Sequence, residues 1–311
     1  MKKTLYAFLA AGALIFTACN DDDDDGNGGA IPGDTDAPAI TFAEGRDSFR
    51  PNMGEHRSAA TSHMHIRFRV TDESPLDEVT AAVTGQATGT PSDAYYLINI
   101  TDVYNSEDAE SAFYFPEGST ELNVDSDETD LYWFGNAARE EVDGPVLAGP
   151  YDFTVSARDA FGNETSEEEQ VRHRFYINRA YAPMVEVTNL NADDELDGSG
   201  NEPLMVEGTI AKGDGDLAGE LSFLWVRLVN HDNHDDFAPA ESPLSEAIWG
   251  SSSRINASGQ PVPAGDIDMS TALTGDNAIT VPSGHGHYHL IVWAEDEHGN
   301  VTRTSVDVHV D

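Results

Sequence analysis

The feature that most constrains the fold is one sequence pattern that occurs twice. The segment GPYDFTVSARDAFGNET begins at Gly149, and the segment GHYHLIVWAEDEHGNVT begins at Gly286. Both fit the frame G-x-Y-x-φ-x-V-x-A-x-D-x-x-G-N, in which φ is an apolar residue. Alternating apolar residues predict a β-strand with one buried face. D-x-x-G-N predicts a hairpin turn, in which Gly162 or Gly299 and the asparagine that follows are able to take positive φ.

The alternation also predicts which side chains face the core. In the first copy, Tyr151, Phe153 and Val155 are expected to point inward, and the residues between them outward. By alignment, the second copy has one outward-facing row that is expected to meet solvent: His287, His289, Ile291 and Trp293.

The segments that precede the hairpins match as well. APAITF begins at Ala37 and APMVEV begins at Ala182, which divides the chain into modules at 37–178 and 182–311. Each has the size of one domain. Short strands separated by Gly, Pro and Asp turns predict an all-β fold of two tandem immunoglobulin-like β-sandwiches. Only the segment SPLSEAIWG is compatible with a single helical turn.

The N-terminal residues 1–18 have the pattern of a signal peptide. Lys2 and Lys3 precede an apolar run from Leu5 to Ala18, which is shorter than the roughly 20 residues of a membrane span. Ala18 followed by Cys19, the only cysteine of the chain, resembles a bacterial lipobox. That resemblance implies that Cys19 is lipidated and becomes the mature N-terminus. The alternative is an ordinary secreted protein.

Residues 19–36 are predicted to form a flexible acidic tether, because NDDDDDGNGGAIPGDTD has too few apolar residues to bury. An acidic run beside a lipidated cysteine resembles the export signal of Bacteroidota surface lipoproteins. This resemblance implies a lipid anchor in the outer membrane, with the protein facing the cell exterior. The alternative is a plain spacer.

The charge balance excludes some partners. The chain has 57 Asp and Glu residues against 16 Lys and Arg, a formal net charge of −41, and Lys212 is the only lysine after Lys3. Such a chain is not expected to bind nucleic acid or an anionic membrane surface. Two explanations remain open, namely a surface adapted to high salt and a surface that attracts cations.

The hairpin frame resembles bacterial immunoglobulin-like domains. Module two also resembles a histidine-rich family of Bacteroidota lipoproteins catalogued only as a domain of unknown function. The residues that carry this resemblance are Val281-Pro282, GHYHL from Gly286, DEHGN from Asp296, and HDNHDD from His231. It covers 182–311 well and 37–178 only through the hairpin. It implies a fold and says little about activity, because function resides in sites.

The histidines of module two predict a metal site. His287 and His289 share one strand face about 6–7 Å apart at Cα, so both can reach one divalent ion. His231 and His234 follow a strand in a loop that is expected to meet them, and His285 is a further candidate ligand. Imidazole ligands favour Zn²⁺ or Cu²⁺ over Ca²⁺. Such a site is expected to be open and at the surface. The alternative is a polar outer face without a ligand.

Two weaker sites are also predicted. DDELDGSGNE begins like a calcium loop but has Leu204 where an EF-hand needs Glu, so only a looser calcium site is expected. Its candidate ligands are Asp193, Asp197, Asp214 and Asp216, and the alternative is a solvated turn. A glycan could stack on tryptophans if they are exposed, although buried tryptophan is the ordinary case; the candidates are Trp225, Trp249 and Trp293.

No catalytic motif is recognisable: the sequence has no nucleophile elbow, phosphate loop or HExxH. The sequence therefore predicts a non-catalytic surface lipoprotein that binds a ligand or a divalent metal ion through its second module. Two alternatives remain, a structural or adhesive spacer and a glycan-binding accessory protein of an outer-membrane transporter. The expected partners are the outer membrane, through Cys19, and a transporter or an extracellular ligand.

The net charge of −41 leads to a prediction about salt. If the acidic surface is an adaptation to brine, repulsion between carboxylates destabilises the fold at low ionic strength, where the screening length is about 30 Å at 0.01 M. The melting temperature should then rise steeply with NaCl in a thermal scan. A flat response from low to molar salt would contradict the adaptation.

Overall fold

The computed structural model describes residues 33–42, 49–50, 56–58, 65–86, 95–111, 113–125, 145–166, 171–190, 195–196, 202–233, 239 and 241–310. The predicted signal peptide and the predicted tether as far as residue 32 lie outside this part. Within it, helix is confined to α1 (Met269–Ala272) and a 3-10 turn (Gly275–Asn277), and strands dominate. The all-β prediction is confirmed.

The first half of the chain forms two sheets. Its strands are β1 Ala39–Phe42, β2 Phe49–Arg50, β3 His56–Ser58, β4 His65–Thr71, β5 Leu76–Gly85, β6 Asn99–Tyr104, β7 Glu121–Asp125, β8 Gly149–Asp159 and β9 Val171–Asn178. One sheet has the order β1-β4-β2, with β7 also on β4, and the other has the order β3-β9-β8-β5-β6. Phe68 and Val70 of the first sheet pack in one core with Val79, Phe153 and Val155 of the second.

The second half repeats this plan. Its strands are β10 Met184–Val187, β11 Glu195–Leu196, β12 Gly208–Ala211, β13 Leu221–Asn230, β14 Ser245–Ser252, β15 Ala257–Ser258, β16 Ile267–Asp268, β17 Gly286–Asp296 and β18 Val301–Val310. One sheet has the order β10-β12-β16, and the other has the order β11-β18-β17-β13-β14-β15. Ile210 and Ile267 pack in one core with Leu224, Leu290 and Val292. Each half is therefore a two-sheet, immunoglobulin-like sandwich.

The segment SPLSEAIWG is not helical. Its residues from Ser245 onward belong to β14, where Ala247 and Trp249 are buried and Glu246 is exposed. This period of two matches a strand, and β14 pairs antiparallel with the buried strand β13. Pairing with a neighbouring strand therefore prevails over the weak helical tendency of the segment.

Both hairpin turns have the predicted glycine conformation, with φ of 86° at Gly162 and 87° at Gly299. The asparagines that follow do not take positive φ: among described non-glycine residues only Asn256 has it. An aspartate holds each asparagine instead. In the second turn, Asp296 accepts hydrogen bonds from the backbone N of Asn300 at 2.8 Å and from its Nδ2 at 2.9 Å.

The two halves pack directly against each other. Tyr176 of β9 lies in one buried cluster with Phe223, Trp225, Trp293 and Val301 of the second half. The Tyr176 and Trp293 rings are 6.0 Å apart and nearly perpendicular. The C-terminal half of the predicted outward row is therefore not solvent-facing, since Ile291 and Trp293 are fully buried. The first half covers a face that the alternation alone assigns to solvent.

Charged groups at this junction are paired. Arg254 donates from Nε to the backbone oxygen of Gln86 at 2.7 Å, and its Nη1 lies 3.3 Å from Oε1 of Glu295. Burial lowers the pKa of the Arg254 guanidinium, and the nearby Glu295 carboxylate opposes that shift. The Trp293 indole also donates to Glu295, at 2.8 Å. The junction thus combines apolar burial with an ion pair between Arg254 and Glu295.

Tyr176→Ala tests this junction. Removing a buried aromatic ring should lower the free energy of unfolding by about 3 kcal/mol, because a cavity remains beside Trp293. Urea unfolding followed by tryptophan fluorescence measures the change. Phe161→Ala is the control, because this exposed ring should contribute within about 0.5 kcal/mol. Equal costs for the two variants would show that the ring does not stabilise the junction.

Candidate metal centre

Three strands bring the histidine-rich segments together. β17 and β18 pair antiparallel, which sets His289 opposite Asp307 and His287 opposite His309. On the other side of β17, Val229 of β13 lies opposite His289. Because β13 ends at Asn230, His231 begins the turn that follows it at the same edge of the sheet.

The inner group consists of His231, His289 and Asp307, and each offers one ligand atom within 4.8 Å of the other two. The His231 and His289 rings are stacked, with centroids 4.5 Å apart. Nδ1 of His289 lies 2.7 Å from Oδ1 of Asp307. The His289 side chain is 9% exposed and that of Asp307 is 45% exposed, while His231 is exposed. The inner group is therefore buried at His289 and open to solvent at His231 and Asp307.

The 2.7 Å contact places the Asp307 carboxylate against the His289 ring and gives it a positioning role through proximity and charge, since the contact lacks hydrogen-bond geometry. Because the carboxylate lies at Nδ1, Nε2 is the nitrogen through which the ring can bind a metal. A carboxylate that fixes the tautomer and direction of a ligating histidine is a common feature of metal sites. His231 offers a second imidazole, and the remaining coordination positions are open to water or another ligand.

The outer group consists of His285, His287 and His309. The His287 and His309 rings are 4.5 Å apart at 79°, and the His285 and His287 rings are 5.9 Å apart at 76°. His285 and His287 are exposed and His309 is partly exposed. These imidazoles stand next to the inner group on the same face of the sheet.

The structure thus divides the predicted ligands between two groups. His231 and His289 meet, as the loop prediction requires, whereas His287 contacts His285 on one side and His309 on the other. His234 lies outside the described residues. The expectation of a site wholly at the surface is wrong for His289, because the packed strands of this sheet bury that ring.

Sequence reasoning missed Asp307 and His309. The signal that finds them is the hairpin register, because the backbone N of Asp296 donates to the oxygen of Asn300 at 3.0 Å. Counting outward from that pair places His289 opposite Asp307 and His287 opposite His309. In the sequence, VDVHV carries these two residues on alternate positions of the last strand.

The first half offers an internal comparison for the inner group. Asp152 aligns with His289, and its strand partner Arg174 aligns with Asp307. Gln86 stands two residues beyond the partner of Asp152, as His231 stands two residues beyond the partner of His289. Oδ1 of Asp152 accepts from Arg174 Nε at 2.8 Å, and Oδ2 accepts from Gln86 Nε2 at 3.1 Å. A polar trio thus occurs in both halves, and only the second has a metal-ligating residue at all three positions.

The outer group has no polar counterpart. The positions of His285, His287 and His309 correspond in the first half to Ala148, Pro150 and Tyr176. Ala148 and Tyr176 contact the second half there. The fold therefore does not require histidine at any of the three positions.

The predicted calcium ligands are not brought together by the described structure. Asp193 and Asp197 lie outside the described residues, and Asp214 and Asp216 are exposed around a turn. A cluster of three aspartates is found in the first half instead. Asp34, Asp72 and Asp159 each place one carboxylate oxygen within 4.8 Å of the other two.

Hydrogen bonds within the first half engage oxygens of all three aspartates. Ser74 donates from its hydroxyl to Asp34 and from its backbone N to Asp72. Asp159 accepts from the backbone and side chain of Asn163 in the first hairpin turn. Burial raises the pKa of Asp72, and the carboxylates of Asp34 and Asp159 raise it further, while the backbone hydrogen bond opposes the shift.

The three candidate tryptophans do not form a glycan platform. Trp225 and Trp249 are 5% exposed, and Trp293 is fully buried. Trp225 is further covered by the guanidinium of Arg227, 3.7 Å from the ring centroid. These three rings pack in the interior, and the exposed aromatic surface that sugar stacking needs is not available at them.

Comparisons with known proteins give no family. No family model matches the chain, and no curated protein matches it. Among solved structures, fibronectin(III)-like modules of Clostridium thermocellum CbhA match at 14% identity and a TM-score of 0.23, covering 88% of this chain and 94% of theirs. A chimeric titin Z1Z2-Z1Z2 tandem matches at 12% identity and a TM-score of 0.23, covering 84% and 96%. Because both TM-scores are low, the fold is assigned from the strand order and packing of the sheets described above.

Proposed function

We propose that this protein is a non-catalytic surface lipoprotein whose second module binds a divalent transition metal through His231 and His289, with Asp307 as the positioning carboxylate. The observation that carries the proposal is the polar trio shared by the two halves. The first half has Gln86, Asp152 and Arg174 in that trio, which make hydrogen bonds and an ion pair. The second half has a metal-ligating residue type at every position.

The ligand set favours Zn²⁺ or Cu²⁺. Two imidazoles suit these ions, whereas Ca²⁺ and Mg²⁺ need more oxygen ligands than this group offers. One ring is held by packing and a carboxylate, and the other is exposed on a turn. Because one ligand is buried and the other is accessible to solvent, such a site is expected to exchange its metal readily. That property suits capture or delivery of a metal at the cell surface.

The alternative function is a structural or adhesive spacer. Its support is that His289 and Asp307 occupy the place of the ion pair between Asp152 and Arg174. A protonated His289 beside Asp307 would repeat that ion pair without any metal. The two functions differ in the role of His231, which a spacer does not need.

His231→Gln tests the metal site, because it restores the glutamine of the first half. Zn²⁺ affinity at this site should fall by about tenfold or more, while the melting temperature without metal stays unchanged. Isothermal titration of the untagged full-length protein measures the affinity. His298→Gln is the control, because His298 lies in the hairpin turn beside Tyr95 and away from the group.

Binding to wild type should also weaken as the pH falls, because a metal binds only the unprotonated imidazole and competes with protons for it. Unchanged Zn²⁺ affinity in His231→Gln would favour the spacer and leave the trio a structural feature of the fold.

We also propose that a lipid on Cys19 anchors the protein in the outer membrane with both modules outside the cell. The support is the lipobox-like segment ending at Cys19 and the acidic run after it. In the described ranges, no helix combines the length and hydropathy of a membrane span. An outer-membrane transporter or an extracellular ligand is the partner that such a position offers.

Cys19→Ser tests the anchor, because lipidation needs the thiol. The variant should move from the membrane fraction to the soluble fraction, followed by immunoblot after cell fractionation. Protease added to intact cells should degrade the wild type while a periplasmic marker survives. A wild type that resists protease would place the modules on the periplasmic side.

A further inference from the structure

We propose a second metal site beside the first, formed by His285, His287 and His309, so that module two holds two transition-metal ions. The first site uses His231 and His289, and the second shares no ligand with it. Either site can therefore exist without the other, and the second site does not rest on the first.

The core of this site is a cross-strand histidine pair. His287 and His309 are direct partners on β17 and β18. Directly opposed residues of an antiparallel pair have Cβ atoms about 4.5–5.5 Å apart. Their rings are 4.5 Å apart and nearly perpendicular, at 79°. From such positions, both imidazoles can direct a nitrogen to one ion at about 2.0–2.1 Å.

His285 is the third imidazole, and the exposed rings must turn toward a shared ion, because the nitrogens of the three histidines are not all within 4.8 Å of one another as the ligand atoms of the inner group are. Its ring lies 5.9 Å from that of His287, at 76°. Gly284 has a φ of 99°, a conformation that favours glycine, so the backbone turns directly before His285.

The chemistry of the site differs from that of the inner group. Its ligands are three imidazoles without a carboxylate, and two of them are exposed. Three histidines bind Zn²⁺ or Cu²⁺ and leave a fourth position for water or an external ligand. The net charge of −41 raises the local concentration of cations around such an exposed site.

The internal comparison supports a ligand-binding role. The corresponding residues Ala148, Pro150 and Tyr176 cannot form a metal site in the first half, where two of them contact the second half. Three independent positions therefore carry histidine in only one copy of the same hairpin. The exposure of the second copy to solvent favours polar residues at these positions, but it does not require histidine at all three.

The test is the number of Zn²⁺ ions bound per chain, measured by equilibrium dialysis and elemental analysis of untagged full-length protein at pH 7.5. Wild type should bind two ions. His309→Tyr, which restores the residue of the first half, should bind one. His285→Ala, at an exposed position, should weaken the same ion without affecting folding. His231→Gln should lose the other ion, and the double variant His231→Gln with His309→Tyr should bind none.

The outcomes separate the two sites. One ion in wild type that survives in His309→Tyr overturns the second site and leaves the first intact. Loss of an ion in His309→Tyr with none lost in His231→Gln supports the second site and contradicts the first. Loss of all metal in either single variant means one joint site and overturns two separate ones. Thermal melts of each variant without metal confirm that folding is unchanged.

Discussion

The Asp296 carboxylate of the second hairpin turn is the contact on which the rest of the structure depends. It accepts from the backbone N atoms of Gly219, His298 and Asn300, and from the Asn300 side chain. These bonds set the register of β17 against β18. Because side chains alternate along a strand, a shift of one residue would turn His289 into the core. The Asn300 side chain also accepts from the backbone N of Ala148, so the same turn joins the two halves.

The two halves use one hairpin for different purposes. In the first half, Asp152 forms a buried ion pair with Arg174 and a second ion pair with the more exposed Arg172. Losing Asp152 would cost about 3–5 kcal/mol, because the buried Arg174 guanidinium would lose its carboxylate. In the second half, a histidine and an aspartate take those places. A neutral imidazole is less costly to bury than a guanidinium, and it can bind a metal through its second nitrogen. The exchange thus converts a rigid structural pair into a pair with ligand chemistry.

The exposure of the side chains increases along the strand face that runs from the junction to the histidines. Trp293 is fully buried, His289 is 7% exposed, and His287 is exposed further along the same strand face. Packing therefore restrains the inner imidazole more than the outer ones. A metal bound at the outer group would be exposed to solvent. A metal bound at the inner group would be shielded from solvent on the side of His289.

The sequence by itself determined the β class, the two hairpins, the glycine turns and the inward row of Tyr151, Phe153 and Val155, because alternation and turn chemistry are local properties of the chain. It also indicated that the loop at His231 would meet β17. Only the tertiary structure decided that Asp307 supports His289 and that His287 joins His309. It likewise decided that Trp293 is buried under Tyr176 and that SPLSEAIWG forms a strand. These outcomes depend on which strands pair and which faces are covered, and both are set by contacts between residues distant in sequence.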